Sequence, residues 1–121
     1  MTVIRNEQVI FCDVDDTLIM WQEPVACQPV AIIECPYSGK QYTLSINLGN
    51  LKILKDRKVR GSTIIVWSAG GHAWAEAVVR ALGIEKYVDY CMSKPIGYID
   101  DKPANKILGE HIYIPYGSSY G

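Results

Sequence analysis

The sequence predicts an α/β fold, a three-layer sandwich with a central parallel sheet and a small β-hairpin flap after the first strand. Three observations predict it. Short apolar runs at residues 9–12 and 63–67 stop abruptly at polar residues, as buried parallel strands do at their carboxyl ends. Helix-patterned stretches alternate with these runs, which implies right-handed crossovers. A chain of 121 residues, 49% hydrophobic and 21% charged, has the length and balance of one globular domain.

Taken in order, residues 9–12 form a strand that delivers Asp13-Val14-Asp15-Asp16-Thr17 at its end. Residues 19–47 read as an inserted flap or mini-cap, because two β-prone runs, 30–35 and 42–46, flank the turn signal Pro36-Tyr37-Ser38-Gly39. Asn47 is placed to cap a helix from Leu48 to about Lys58, with Leu48, Leu51 and Leu54 near one face and Gly61 ending it. Residues 63–67 are the most strand-like stretch and finish in Ser68-Ala69-Gly70-Gly71. An alanine-rich helix follows over 72–82, closed by Gly83. A third strand is expected over 87–92, running into Ser93-Lys94-Pro95, and a fourth over 97–99, running into Asp100-Asp101. A short helix over 103–108 and a last strand over 112–114 complete the pattern, and the turn-rich tail from Pro115 is expected to fray. The whole, residues 1–121, reads as a single Rossmann-like domain.

Composition excludes several classes. Twelve basic against thirteen acidic residues, net charge -1, argue against holding nucleic acid by bulk charge. The local run Lys52, Lys55, Arg57, Lys58, Arg60 reads first as a solvated helix face. Cys12, Cys27, Cys35 and Cys91 form no Cys-x-x-Cys pair, so reduced, partly buried thiols are expected. No apolar run reaches the ~18 residues of a spanning helix, and the first residues do not read as a signal peptide. No membrane partner and a cytoplasmic location are therefore expected.

Core packing explains why strands are apolar, but not why each one stops at a carboxylate, a hydroxyl or an ammonium. Parallel sheets gather ligands outside the carboxyl ends of their strands, which brings Asp13, Asp15, Ser68, Lys94, Asp100 and Asp101 to one edge. Several carboxylates crowded there repel one another by several kcal/mol at intermediate dielectric. A hard divalent cation such as Mg²⁺, with its preference for oxygen ligands, relieves that repulsion alongside a substrate phosphate. Lys94 and Ser68 then supply a positive charge and a hydroxyl donor to the other phosphoryl oxygens.

Asp13-Val14-Asp15-Asp16-Thr17-Leu18, Ser68, Lys94 and Tyr98-Ile99-Asp100-Asp101, in this order, resemble the four motifs of the haloacid dehalogenase-like (HAD) superfamily, most of whose members are phosphatases. The close Lys94 to Asp100 spacing is similar to its small, minimally capped members. The resemblance covers residues 9–102 and implies a Mg²⁺-dependent phosphomonoesterase with Asp13 as the nucleophile that becomes an aspartyl phosphate. It implies Asp15 as the general acid and base; Asp13, the Asp15 carbonyl and Asp100 as metal ligands; Ser68, Ala69, Gly70 and Lys94 as phosphate-binding; and Thr17 and Asp101 as supporting residues. Asp16 departs from the glycine that many members carry, a change that aspartate's tolerance of turn geometry accommodates.

The cap selects the substrate in this superfamily, and the short insert implies an open site. Such a site takes a nucleic-acid end, or a nucleotide or sugar phosphate enclosed by a second subunit that completes the cap. Trp21, Tyr37 and Tyr42 in the insert read first as cross-strand packing and second as a ring-stacking surface. The rival readings are a phosphoacceptor receiver-like signalling domain, using Asp15/Asp16, Asp56, Ser68 and Lys94-Pro95, and a HAD-like phosphotransferase. The receiver reading puts Asp56 in a basic helical segment and leaves Asp100-Asp101 unexplained.

Overall fold

The computed structural model describes residues 8–22 and 28–116, so Cys27, the first residues and the end of the tail lie outside the described residues. The elements run β1 (Val9–Asp13), β2 (Ile19–Met20), β3 (Val30–Glu34), β4 (Gln41–Ile46), α1 (Leu48–Val59), β5 (Thr63–Ser68), α2 (His72–Leu82), β6 (Tyr90–Ser93) and α3 (Ala104–Ile107). They build a mixed α/β fold with a parallel sheet in the order β1-β5-β6 and an antiparallel sheet in the order β2-β4-β3. Asp13 pairs with Trp67 and Ser68 with Ser93, so the three parallel strands end level with one another.

Local chemistry explains the helix limits. The Asn47 side chain accepts from the Asn50 N–H at 3.2 Å and caps α1, as the sequence predicts. Gly83, at φ +67, closes α2 in the left-handed conformation, its N–H donating to the Arg80 carbonyl.

The chain steps from β1 to β5 to β6 in one direction, and two right-handed crossovers in one direction put both helices on the same face of the sheet. Burial agrees. Ile64 and Val66 of β5 pack in one cluster with Leu51 and Leu54 of α1 and Ala75, Val78 and Val79 of α2. The opposite face, with Val9, Phe11, Tyr90 and Met92, is exposed, and Phe11 stacks on Trp67 there at 4.4 Å. Among the described residues the structure shows the parallel sheet with one helical layer, α1 and α2, packed on it.

The hairpin forms where the sequence places it. The Cys35 N–H donates to the Lys40 carbonyl and the Gly39 N–H to the Cys35 carbonyl, both at 2.8 Å, with Gly39 at φ +75. Its inner face is part of the core. Ala31, Ile33 and Leu44 from its inner face join the same buried cluster as Val14, Leu18, Ile64 and Val66. Each large aliphatic side chain contributes roughly 1.5–3 kcal/mol on burial, so lifting Ile33 and Leu44 out would cost about 3–6 kcal/mol.

Three expected strands differ. The one over 87–92 starts only at Tyr90, because Glu85–Tyr87 make a 3₁₀ turn. Asp89 completes the junction, its N–H donating to the Ile64 carbonyl and its carboxylate accepting from the Ile64 N–H at 2.7 Å. The expected strand over 97–99 is absent, and Ile96 and Ile99 are fully exposed. A parallel strand ending at the same edge needs a return connection of about a dozen residues, and only Lys94, Pro95 and Ile96 separate β6 from Gly97. The segment 112–114 forms no strand either; the side-chain amides of Asn47 and Asn50 hold it instead. The Asn50 amide N–H and oxygen engage the carbonyl and N–H of Ile114 at 3.1 and 2.7 Å, and Asn47 Nδ2 donates to the same carbonyl at 2.8 Å. Gly49 permits this approach, since a Cβ there would stand 2.7 Å from Ile114 Cγ2.

Candidate active site

Val14 and Leu18 are fully buried and anchor the loop between them, where the Thr17, Leu18 and Ile19 N–H groups all point to the Val14 carbonyl. Asp16 adopts φ +60 in this turn, the left-handed geometry that the sequence expects a glycine replacement to tolerate. Its carboxylate accepts from the Trp21 N–H at 3.2 Å and so fixes the start of the insert. Asn50 Nδ2 donates to the Thr17 carbonyl at 3.0 Å and the Tyr113 hydroxyl to the Asp16 carbonyl at 3.3 Å. The C-terminal segment thus braces the loop from outside.

Six of the predicted site residues, Asp13, Asp15, Thr17, Ser68, Gly70 and Lys94, are linked at the level strand ends. Lys94 Nζ lies 3.0 Å from Asp13 Oδ1, and Thr17 Oγ1 donates to Asp13 Oδ2 at 3.0 Å. Ser68 Oγ donates to Asp15 Oδ2 at 3.2 Å and accepts from the Gly70 N–H at 3.0 Å. The Lys94 N–H donates to the Ser68 carbonyl at 2.9 Å, which ties the lysine's backbone to the end of β5. Asp13 and Lys94 are each about a third exposed, so their attraction acts in a half-wet site where an effective dielectric near 20 applies.

Ser68 is fully buried, with its hydroxyl committed to Asp15 and Gly70. In this state it acts on the Asp15 carboxylate, while Ala69 and Gly70 stand exposed on the rim. Cys12 directly precedes Asp13 on β1. Burial, then the neighbouring Asp13 charge, pushes the Cys12 thiol up to about 12, which keeps it protonated and inert.

Asp100 and Asp101 are not brought to this cluster. They lie in an exposed turn where Asp100 Oδ1 accepts from the Lys102 N–H at 3.0 Å. Among the described residues no three His, Cys, Asp or Glu side chains are grouped so as to hold a metal ion. The expected ligand set of Asp13, Asp15 and Asp100 is therefore not assembled in this arrangement, and the donor set does not fit Mg²⁺ as it stands. The physical reason is the missing fourth strand, which leaves Asp100 with nothing to carry it to the sheet edge.

Two residues that carry the site escape sequence reasoning. Trp21 Nε1 and Trp74 Nε1 both donate to Asp15 Oδ1, at 2.9 and 3.0 Å. Their rings stack 6.2 Å apart, and Tyr42 meets both edge-on at 5.0 and 6.3 Å. Trp21 reads in the sequence as one of the insert's packing aromatics and Trp74 carries no signal of its own; only their convergence reveals the shared acceptor. The packing role expected of Tyr42 is present. The insert also reaches the loop after β5, where a Cβ built at Gly71, at φ +103, would overlap the Tyr37 hydroxyl.

Two of the five basic residues over 52–60 are paired with carboxylates within the fold, and a third lies over an aromatic ring. Lys58 bridges Asp89 at 2.8 Å, Arg60 reaches Asp56 at 3.1 Å, and Lys55 lies over the Tyr87 ring at 5.4 Å. No described helix is long and apolar enough to cross a membrane. Set against protein-family models, curated proteins and solved structures, the chain matches none.

Proposed function

We propose that the protein is a phosphoric monoester hydrolase of the HAD-like kind, acting through an aspartyl-phosphate on Asp13. The observation that carries this reading is the convergence of Asp13, Asp15, Ser68 and Lys94 from three separate strand ends, with the ammonium 3.0 Å from the nucleophile position. A packing role for these residues requires no such meeting. The finer fold reading, a complete Rossmann-like three-layer sandwich, belongs to the same proposal.

Lys94, beside Asp13, offers its charge to the incoming phosphoryl oxygens. An Asp13 oxygen attacks phosphorus, the P–O bond to the leaving group breaks, and Asp15 gives that leaving oxygen a proton. Asp15 Oδ1 already accepts from two indoles, whereas Oδ2 accepts from Ser68 alone, so Oδ2 is the oxygen with room for the proton. Water then attacks the phosphorus of the acyl phosphate, Asp15 takes its proton, and inorganic phosphate leaves with Asp13 restored. Mg²⁺, which the resemblance implies, requires Asp100 to approach Asp13.

Turnover of para-nitrophenyl phosphate with and without chelator, and of 3′- and 5′-phosphorylated oligonucleotides, nucleotides and sugar phosphates, tests activity, metal and substrate class together. Asp13→Asn is expected to abolish turnover. Asp15→Asn is expected to cost on the order of 10²–10⁴-fold in rate, the share that general acid-base help supplies. Full activity in Asp13→Asn would falsify the covalent route. A receiver-like domain would instead keep its phosphoryl group and release little phosphate.

A further inference from the structure

The two carboxylates of the candidate site are satisfied in opposite ways. Asp13 is paired with a cation, Lys94, and with one hydroxyl. Asp15 has no ion-pair partner among the described residues, and instead accepts from three neutral donors: Trp21 Nε1, Trp74 Nε1 and Ser68 Oγ. Two indole donors on one oxygen fill both of its lone pairs and fix the carboxyl plane, because an indole N–H is a donor only and its ring cannot rotate without carrying the whole side chain. Packing alone does not explain the arrangement. Trp21 remains 45% exposed, yet its N–H is turned to meet Asp15 at 2.9 Å, a contact that its packing on Trp74 and Tyr42 does not require.

The donors arrive from two different parts of the fold. Trp74 stands on the buried face of α2, beside Gly70. Trp21 directly follows β2, which pairs with β4 of the inserted hairpin, and its ring packs against Tyr42 on β4. The orientation of Asp15 is thereby tied to the seating of the hairpin as well as to the parallel-sheet core.

We infer that Trp21 and Trp74 are positioning residues, an indole clamp that saturates Oδ1 of Asp15 and turns Oδ2 toward Ser68 at the end of β5; as a statement about catalysis this rests on the phosphatase reading. Misplacement of a reacting group by about 1 Å costs up to about 100-fold in rate. Trp21→Phe and Trp74→Phe keep an aromatic ring and delete the donor. Each is expected to lower kcat by roughly 3- to 100-fold with KM changed less than about twofold, and to cost nothing further in an Asp15→Asn background.

A measurement independent of activity separates the clamp from the reaction. The three tryptophans give three indole N–H resonances, assignable from the Phe variants of Trp21, Trp67 and Trp74. Asp15→Ala is expected to shift the Trp21 and Trp74 signals and speed their hydrogen exchange, while that of Trp67, whose ring stacks on Phe11 across the sheet, stays in place. Should Asp15→Ala fail to fold, Asp15→Asn, with a neutral and weaker acceptor, is expected to give smaller changes at the same two signals. Unmoved Trp21 and Trp74 resonances, or kcat losses as large in the Asp15→Asn background as in the wild type, would overturn the clamp. Two indole signals that follow Asp15 in a protein with no phosphatase turnover would overturn the phosphatase reading and leave the clamp standing.

Discussion

Replacing Asn50 by alanine tests how the chain's C-terminal segment is held without a strand. The Asn50 side chain makes three hydrogen bonds: to the Thr17 carbonyl at 3.0 Å, to the Ile114 carbonyl at 3.1 Å, and from the Ile114 N–H at 2.7 Å. Ile114's carbonyl keeps the Asn47 amide at 2.8 Å, so the variant orphans two backbone groups, the Thr17 carbonyl and the Ile114 N–H. Each lost bond with its partner left unsatisfied costs about 1–3 kcal/mol, or about 2–6 kcal/mol for the two. Alanine returns about 0.6 kcal/mol of helix propensity in α1, and water reaching the half-buried Ile114 keeps the cost toward the lower end. The expected loss is about 2–3 kcal/mol. Urea unfolding measures it as a lower midpoint at unchanged slope, and amide exchange at Ile114 should quicken in parallel. A loss below about 0.5 kcal/mol, the ordinary range for a surface change, together with a protected Ile114 amide, would refute the reasoning.

Three further outcomes are expected. Gly71→Ala should destabilise the protein by about 1–3 kcal/mol, since alanine is strained at φ +103; Tyr37→Ala in that background should recover only the steric part, read by thermal unfolding. The Lys58 ammonium, then the Ile64 N–H, hold the Asp89 carboxyl below its ordinary value of 3.8. Its contribution is therefore complete above that value and is lost as pH falls through the lower folded value, so Asp89→Asn should flatten the acid limb of the stability curve. Among Cys12, Cys35 and Cys91, Cys35 should alkylate first with iodoacetamide as pH rises: hydrogen bonds from Ser38 and the turn lower its pKa, whereas burial raises those of Cys12 and Cys91. Peptide mapping across a pH series checks the order, and early labelling of Cys12 would contradict it.

The legible parts of this fold are those decided by neighbouring residues. Asn47 and Gly83 mark helix limits through cap chemistry, and Pro36-Tyr37-Ser38-Gly39 marks the hairpin through turn chemistry. Asp13, Asp15, Ser68 and Lys94 are legible because polar residues at apolar strand ends gather wherever parallel strands stop together. What stayed hidden depends on the path between elements. Tyr98-Ile99 reads locally as a strand, yet the short connection from β6 gives it no parallel partner. The hairpin reads only as two β-prone runs around a turn, and nothing local reveals that Ile33 and Leu44 join the core with α2. Asn50 looks like any polar helix residue until the distant Ile114 is set against it.

Anchoring the insert in the core has a consequence for how ligands are chosen. A cover that swings open can admit bulky molecules and then remould itself around them, but a rooted hairpin has to discriminate by the shape of a permanent doorway. On the phosphatase reading, selectivity would change through insert residues near the strand ends, Trp21 and Tyr37 among them, and grafting a foreign hairpin would remove part of the core along with the insert.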